Sequence, residues 1–156
     1  ENIDVFVKQG VYTEKEVVAR ANISLENYVK AINIEALTML EMARKDIYPA
    51  VNAYVSELCS VVASKQAISS KICCDADIAI VEKLSTMNEA MMNAMKKLEE
   101  DLAQMPEEVG PASQKMAHVI VPDMDAVRAL SDGMETLCSS DYWPYPTYTD
   151  LLYSIR

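Results

Sequence analysis

The chain has 156 residues, of which 51% are apolar and 24% charged, and its net charge is −10. This length is the size of one domain, which buries about two thirds of the surface that its unfolded form exposes. The negative charge repels phosphates and anionic headgroups, so nucleic-acid and membrane-surface binding are disfavoured as main roles. With only three glycines, one phenylalanine and ten methionines, the composition favours helices.

The sequence also indicates where the protein works. No apolar stretch approaches the roughly 20 residues of a membrane-spanning helix, and no signal-peptide pattern opens the chain. We therefore expect a cytoplasmic protein with neither a membrane nor a nucleic acid as partner. The chain begins at Glu1 without an initiator methionine, and we interpret it as a fragment of a longer polypeptide.

The four cysteines do not form a metal-binding pattern. Cys59, Cys73, Cys74 and Cys138 include no CxxC pair, and His118 is the only histidine. We interpret the cysteines as reduced, small core residues. The alternative is a regulatory disulfide between the neighbours Cys73 and Cys74.

The first half of the chain predicts helices. Thr13 and Glu16 match a capping box, which predicts a short helix from Glu14 to Ala21. Ser24 offers a second cap, ahead of a long amphipathic helix. Pro49 lacks a backbone donor and predicts a kink or a break in that helix. Its apolar residues recur at steps of three and four, namely Leu25, Tyr28, Val29, Ile32, Ala36, Met39, Leu40, Ala43 and Ile47.

The second half predicts an antiparallel hairpin. A Ser- and Asp-rich connection at residues 67–77 leads into a helix with a coiled-coil-like seam, in which Asn88 is the single polar residue. We expect its methionines to be core, although a Met-rich seam also suits an adaptable partner surface. A short connection at residues 106–111 predicts that the last helix, about Ala112 to Ser139 with a kink at Pro122, lies antiparallel to it. The seam is Val81, Leu84, Asn88, Met91, Met95, Leu98, Leu102 and Met105.

No motif predicts a reaction. A di-metal site of the ferritin-like kind needs a Glu-x-x-His motif, but the residue three before His118 is Lys115. There is no glycine-rich phosphate loop, and no local arrangement of Ser, Cys and His indicates a nucleophile. From its residues alone the chain is a helical structural or interaction domain, and we predict no catalytic, cofactor-binding or metal-binding residue in it.

The chain ends in an aromatic tail, "YWPYPTYTDLLYS", which holds five of its ten aromatic residues and its only tryptophan. Tyrosine and tryptophan offer large apolar contact with a polar group, and Pro144 and Pro146 favour an extended path. We therefore predict a candidate interface. Its residues are Tyr142, Trp143, Tyr145, Tyr148, Leu151 and Leu152.

Two stretches resemble a known family. "LENYVKAINIEALTMLEMARKDIYPAV" (Leu25 to Val51) and the tail from Tyr142 to Ser154 are similar to the C-terminal region of bacterial type III glutamine synthetases. The resemblance runs along the whole chain and is least distinctive in the central hairpin. It implies a parent enzyme that ligates ammonia to glutamate with ATP and Mg²⁺ as a large homo-oligomer. It also implies that the catalytic residues lie in a region of the parent that this chain does not match.

We expect an all-α fold: one helical domain over residues 1–156, with N-terminal helices at 1–66, a helical hairpin at 77–139 and a mostly irregular tail at 140–156. The first functional hypothesis is a domain that packs on the catalytic region of the same polypeptide and supports the oligomer, with the tail as a docking strap. The alternative for the tail is a clasp over its own bundle. The alternatives for the domain are a regulatory module that binds a protein or metabolite, and a stand-alone helical scaffold.

Overall fold

The computed structural model describes residues 2–146 and 148–153, without the side chains of Asn2, Tyr148 and Thr149, and in these ranges the chain forms helices but no strand. The all-α prediction is confirmed. Two of the helical segments are π-helical turns, in which the chain winds more widely than in an α-helix. The elements are α1 (Asn2–Lys8), α2 (Glu14–Met42), the first π turn (Ala43–Ile47), α3 (Tyr48–Ile68), α4 (Asp75–Ala103), α5 (Val109–Lys115), the second π turn (Met116–Ile120), α6 (Val121–Glu135) and α7 (Tyr148–Tyr153).

The start of α2 follows the sequence, but its predicted end does not. The Glu16 N–H donates to Thr13 Oγ1 at 3.3 Å, and the Thr13 N–H donates to Glu16 Oε2 at 2.8 Å, which completes the capping box. The predicted break between Ala21 and Ser24 is wrong, because α2 continues through both residues. No proline or glycine interrupts this stretch, and an exposed serine in mid-helix loses little when water satisfies its hydroxyl.

Pro49 and Pro122 each follow a π turn. The Tyr48 N–H donates to the Ala43 carbonyl and the Val121 N–H donates to the Met116 carbonyl, five residues back in each case. Proline cannot donate to the carbonyl four residues before it, and the wider turn accommodates that missing bond while the helix continues. The predicted interruption at Pro49, like the one at Pro122, thus takes the form of a π turn rather than a break.

Three boundaries in the second half differ from the prediction. The connection between α3 and α4 is shorter than expected and covers residues 69–74. The last helix starts at Val109, because Gly110 and Pro111 lie in its first turn, where the missing N–H of proline has no helical partner to lose. It ends at Glu135 rather than at Ser139, and the tail contains the short helix α7.

The helices pack around one core. α4 packs against α3 on one side and α6 on the other, and α2 packs against α5. Ion pairs at both ends, Lys65 with Asp77 at 2.5 Å and Arg44 with Glu99 at 2.7 Å, fix α3 and the preceding turn antiparallel to α4. The predicted seam is confirmed, since its central residues are fully or almost fully buried: Leu84, Asn88, Met91, Met95 and Leu98.

The hairpin belongs to the bundle rather than to a separate arm. Met91, Met95 and Leu98 share one core with Val51 and Trp143. Residues 52–73, in contrast, include no buried side chain, so α3 is packed less tightly beyond Val51 than at its start. Of the described helices, none combines the length and apolarity needed to cross a membrane.

Candidate interaction surface

The first half of the tail lies on the bundle. The N–H groups of Tyr142 and Trp143 both donate to the Ser139 carbonyl at 3.0 Å, which turns the chain back after α6. The Tyr142 ring packs on the ring of Tyr54 in α3, with centroids 5.4 Å apart. The Trp143 side chain is 9% exposed and is part of the core. Tyr142 and Trp143 therefore act as a clasp on this domain.

Tyr145 fastens the tail to the first π turn. Its hydroxyl donates to Asp46 Oδ2 at 2.6 Å. Burial of the ring, together with the hydrogen bond and the negative charge of Asp46, raises the pKa of Tyr145 to about 12. The Tyr145 hydroxyl therefore stays protonated and neutral at physiological pH, and its hydrogen bond to Asp46 is not lost by ionisation of the phenol there.

The second half of the tail turns apolar side chains to solvent. Leu152 in α7 is 70% exposed and Tyr153 is 77% exposed, and Leu151 is exposed as well. The side chain of Tyr148, also predicted to be in the interface, lies outside the described residues. The predicted interface thus divides into an anchored part, Tyr142, Trp143 and Tyr145, and an exposed part on α7. That Leu151 and Leu152 bind a partner stays a prediction.

A groove that the sequence analysis missed lies between α2, the first π turn and α6. It has a volume of about 580 Å³ and its wall residues are largely apolar. Its two walls come from parts of the chain about 90 residues apart, so no local pattern predicts it. The available signal was Ile34 and Met42, two apolar residues outside the predicted core stripe of α2. The lining residues are Ile32, Ile34, Glu35, Thr38, Met39, Met42, Ala43, Ile47, Val121, Met124, Asp125, Val127, Arg128 and Ser131.

Charged residues bracket the second π turn on the side facing α4. Lys97 donates to Asp123, which is 8% exposed, and lies 3.5 Å from Asp101. Lys115 lies 3.6 Å from Asp101. Burial acts to raise the pKa of Asp101, but its surroundings, including the positive charges of Lys115 and Lys97, outweigh burial and lower that pKa. The hydrogen bond with Asp123 raises the pKa of Lys97, against a smaller effect of burial. The two carboxylates thus balance two ammonium groups and hold the turn against α4.

The cysteines and the histidine have no common site. All four cysteines are free thiols; Cys74 is buried, Cys138 is half-buried, and the prediction of core positions is wrong for the exposed Cys59 and Cys73. Burial raises the pKa of the Cys138 thiol, against a smaller lowering by the Ser139 backbone. His118 is exposed in the second π turn. A redox role for Cys73 and Cys74 stays untested.

The described residues do not form a site that fits the Mg²⁺ that the resemblance implies for the parent enzyme. In residues 2–146 and 148–153, no three side chains of His, Cys, Asp or Glu are grouped so that they could hold a metal ion. The buried carboxylate of Asp123 is paired with Lys97 through Oδ1.

Fold and surface together define an all-α bundle domain with an apolar groove and a clasped aromatic tail. The sequence profile of the family described as glutamine synthetase C-terminal domain matches residues 1–66. The chain is 36% identical to a glutamine synthetase of Butyrivibrio fibrisolvens, in an alignment that covers 100% of this chain and 23% of that protein. The chain belongs to the glutamine synthetase family and corresponds to its C-terminal domain.

Two further relatives agree with this assignment. The chain is 22% identical to a type-3 glutamine synthetase of Dictyostelium discoideum, over 98% of this chain and 22% of that protein. It is also 22% identical to a glutamine synthetase of Bacteroides fragilis, over 96% of this chain and 21% of that protein. The type-3 relative supports the type III class that the two sequence blocks predicted. The chain spans less than a quarter of the length of each of these relatives.

Proposed function

We propose that this chain is a structural domain of a cytoplasmic type III glutamine synthetase, which ligates ammonia to glutamate with ATP. In this role the domain packs on the catalytic region of the same polypeptide and supports the homo-oligomer. The observation that carries the proposal is the alignment of the entire chain with less than a quarter of a glutamine synthetase. A segment that is matched only as part of a longer enzyme has the remainder of that enzyme as its first partner.

The distribution of apolar surface supports a packing role. Helix α1 exposes Val5 and Val7, and α7 exposes Leu152 and Tyr153, so both ends of the described chain present apolar side chains to solvent. Burial of these side chains against another part of the enzyme would remove apolar surface from water, which favours association. The net charge of −10 disfavours nucleic acids and anionic membranes as the partner.

Deletion in the full-length enzyme tests the proposal. We compare the whole enzyme with a form that lacks residues 1–156, and measure assembly size by analytical ultracentrifugation and glutamine formation in a coupled assay. We expect the shortened enzyme to form smaller assemblies and to lose activity in proportion. Full-size assemblies with unchanged activity would rule out the supporting role.

A second candidate function is a regulatory module that binds a metabolite. The groove between α2 and α6 favours it, because a volume of about 580 Å³ lies within the roughly 300–1,000 Å³ of small-molecule sites. Such binding would raise the thermal stability of the domain, and the rise would grow with the logarithm of the ligand concentration above the dissociation constant. A thermal-shift screen with amino acids and nucleotides that gives no concentration-dependent rise would remove this candidate.

A further inference from the structure

The groove between α2 and α6 has a buried apolar floor and solvent-exposed apolar side chains on its walls. Ala43, Ile47 and Val127 are buried at its base. On the α2 wall Ile34 is 64% exposed, and Met42 is also exposed. Burying an isoleucine side chain is favourable by roughly 1.5–3 kcal/mol, so this surface gains from a cover.

The polar residues of the groove favour a protein over a small molecule. Glu35, Thr38, Asp125 and Arg128 line it and all are exposed, so their hydration competes with any contact to a ligand. A small-molecule site instead needs a few sheltered polar groups that fix orientation, and no buried residue of this lining is polar. A hydrophobic centre with a charged rim of both signs is the pattern of a protein interface.

The shape of the groove depends on both π turns. The first π turn supplies Ala43 and Ile47 to its floor, and Val121 follows directly after the second. Because the ion pairs of Lys97 and Lys115 hold the second turn against α4, the walls are held in place before anything binds. A preformed groove loses less entropy on docking than a surface that must first be ordered.

The length of polypeptide outside this chain favours an occupant from the same polypeptide. The chain spans 23% of the Butyrivibrio glutamine synthetase, so about three quarters of such an enzyme lies outside it. A segment tethered in the same polypeptide reaches an effective concentration in the millimolar range, well above that of a free partner. We propose that the groove between α2 and α6 receives an apolar segment of the catalytic region of the same polypeptide. This inference rests on the proposed function and assigns the domain a specific docking surface.

Photo-cross-linking in the full-length enzyme tests the occupant. A benzophenone amino acid replaces Ile34 in one variant and Leu37 in the other; Leu37 lies on the same helix and is 53% exposed, but it does not line the groove. We expect position 34 to cross-link to a catalytic-region peptide within a product that runs as one polypeptide on a denaturing gel. We expect no such product from position 37.

Three outcomes overturn the proposal. A cross-linked dimer would place a second subunit in the groove. If position 34 formed a cross-link only to residues of this domain, or formed no cross-link, the catalytic region would not occupy the groove. Equal cross-linking from positions 34 and 37 would show contact without preference for the groove.

A matched pair of charge substitutions gives an independent readout. Ile34→Glu and Leu37→Glu both place a carboxylate at an exposed position of α2 in the full-length enzyme. The readout is hydrogen exchange in the catalytic-region peptide that the cross-linking experiment identifies. Ile34→Glu should speed this exchange by about tenfold or more, whereas Leu37→Glu should leave it unchanged. Equal exchange in both variants contradicts the inference. If deletion of residues 1–156 disrupts assembly while Ile34→Glu has no effect, the proposed function stands and the docking surface is wrong.

Discussion

At the scale of single residues, the bond between Tyr145 and Asp46 gives the tail a measurable signature. Tyr145→Phe keeps the ring but removes the donor to Asp46 Oδ2. We expect the free energy of unfolding to fall by about 0.5–1.5 kcal/mol at pH 7, the usual net value of one hydrogen bond. Urea denaturation checks this, with Tyr12→Phe as control because the Tyr12 ring lies between Phe6 and Arg20, far from the tail in sequence.

The same bond predicts a pH dependence. The pKa of Tyr145 rises from about 10 in the unfolded chain to about 12 in the folded one, so the folded state holds this proton more tightly. The stabilisation is complete below pH 10 and is lost as the pH rises toward 12. The difference between the native chain and Tyr145→Phe should therefore shrink over this range; a constant difference up to pH 12 would contradict the raised pKa.

Lys97 and Lys96 are neighbours in α4 with different surroundings. Lys97 pairs with the buried Asp123, whereas Lys96 lies 3.8 Å from Glu100 and both are largely exposed. Lys97→Met leaves the Asp123 carboxylate buried without its counter-charge, which destabilises a fold far more than losing a surface pair. We expect a clearly lower urea midpoint for Lys97→Met and almost no change for Lys96→Met. Equal urea midpoints for the two variants would show that the buried Asp123 carboxylate does not need the charge of Lys97.

At the scale of elements, the close approach of α6 to α4 depends on Gly133. A Cβ built on Gly133 would lie 2.5 Å from Met87 Cε. Gly133→Ala should change the free energy of unfolding by less than about 1 kcal/mol, because the methionine methyl can turn aside and alanine favours the helix. Gly133→Val should destabilise by about 1–3 kcal/mol through overpacking.

A double-mutant cycle separates this contact from helix propensity. In a Met87→Ala background the penalty of Gly133→Val should decrease, which calorimetry measures as a coupling energy. Gly110→Ala is the control, because a Cβ added at position 110 would meet no other residue within 4 Å. An unchanged penalty in the Met87→Ala background would place the strain elsewhere.

The elements show which signals in the sequence are sufficient. The capping box at Thr13 and the seam of α4 were predicted from spacing, because each depends on neighbours within one helix. The break after Ala21 was wrong because a serine can cap a helix but does not force one to end. The π turns were missed. Their signal in the sequence is two successive steps of four between buried residues, as from Ala43 to Ile47 and from Ile47 to Val51.

The candidate site was predicted only where its residues are close in sequence. The tail is a local cluster of aromatic residues, so composition identified it. Whether its rings lie on the bundle depends on contacts such as Tyr145 with Asp46, 99 positions apart. The groove has the same limit, since Ile34 and Met124 become neighbours only after the helices pack.

At the scale of the whole molecule, the tail completes the core of the bundle. Trp143 is buried among residues of the same cluster as Val51 and Met134, yet it lies beyond the end of α6. The net free energy of unfolding of a domain is small, so one buried aromatic side chain contributes a large fraction of it. Residues 150–153 contribute less to this core, because Leu151, Leu152 and Tyr153 are exposed.

Two truncations of this chain separate the two halves of the tail. Ending the chain after Asp141 removes Trp143 and should destabilise the bundle by about 3 kcal/mol or more, as loss of a buried large aromatic residue does. Ending it after Pro146 keeps Trp143 and Tyr145 and should change the urea midpoint little. Because Trp143 is the only tryptophan, its emission should stay blue-shifted in the longer truncated form. Trp143→Ala in the untruncated chain should account for most of the stability that the shorter form loses, and the contacts of Tyr142 and Tyr145 account for the rest. If instead the form ending at Pro146 were as unstable as the form ending at Asp141, α7 would be the part that holds the tail in place, and its exposed leucines would not be available to a partner.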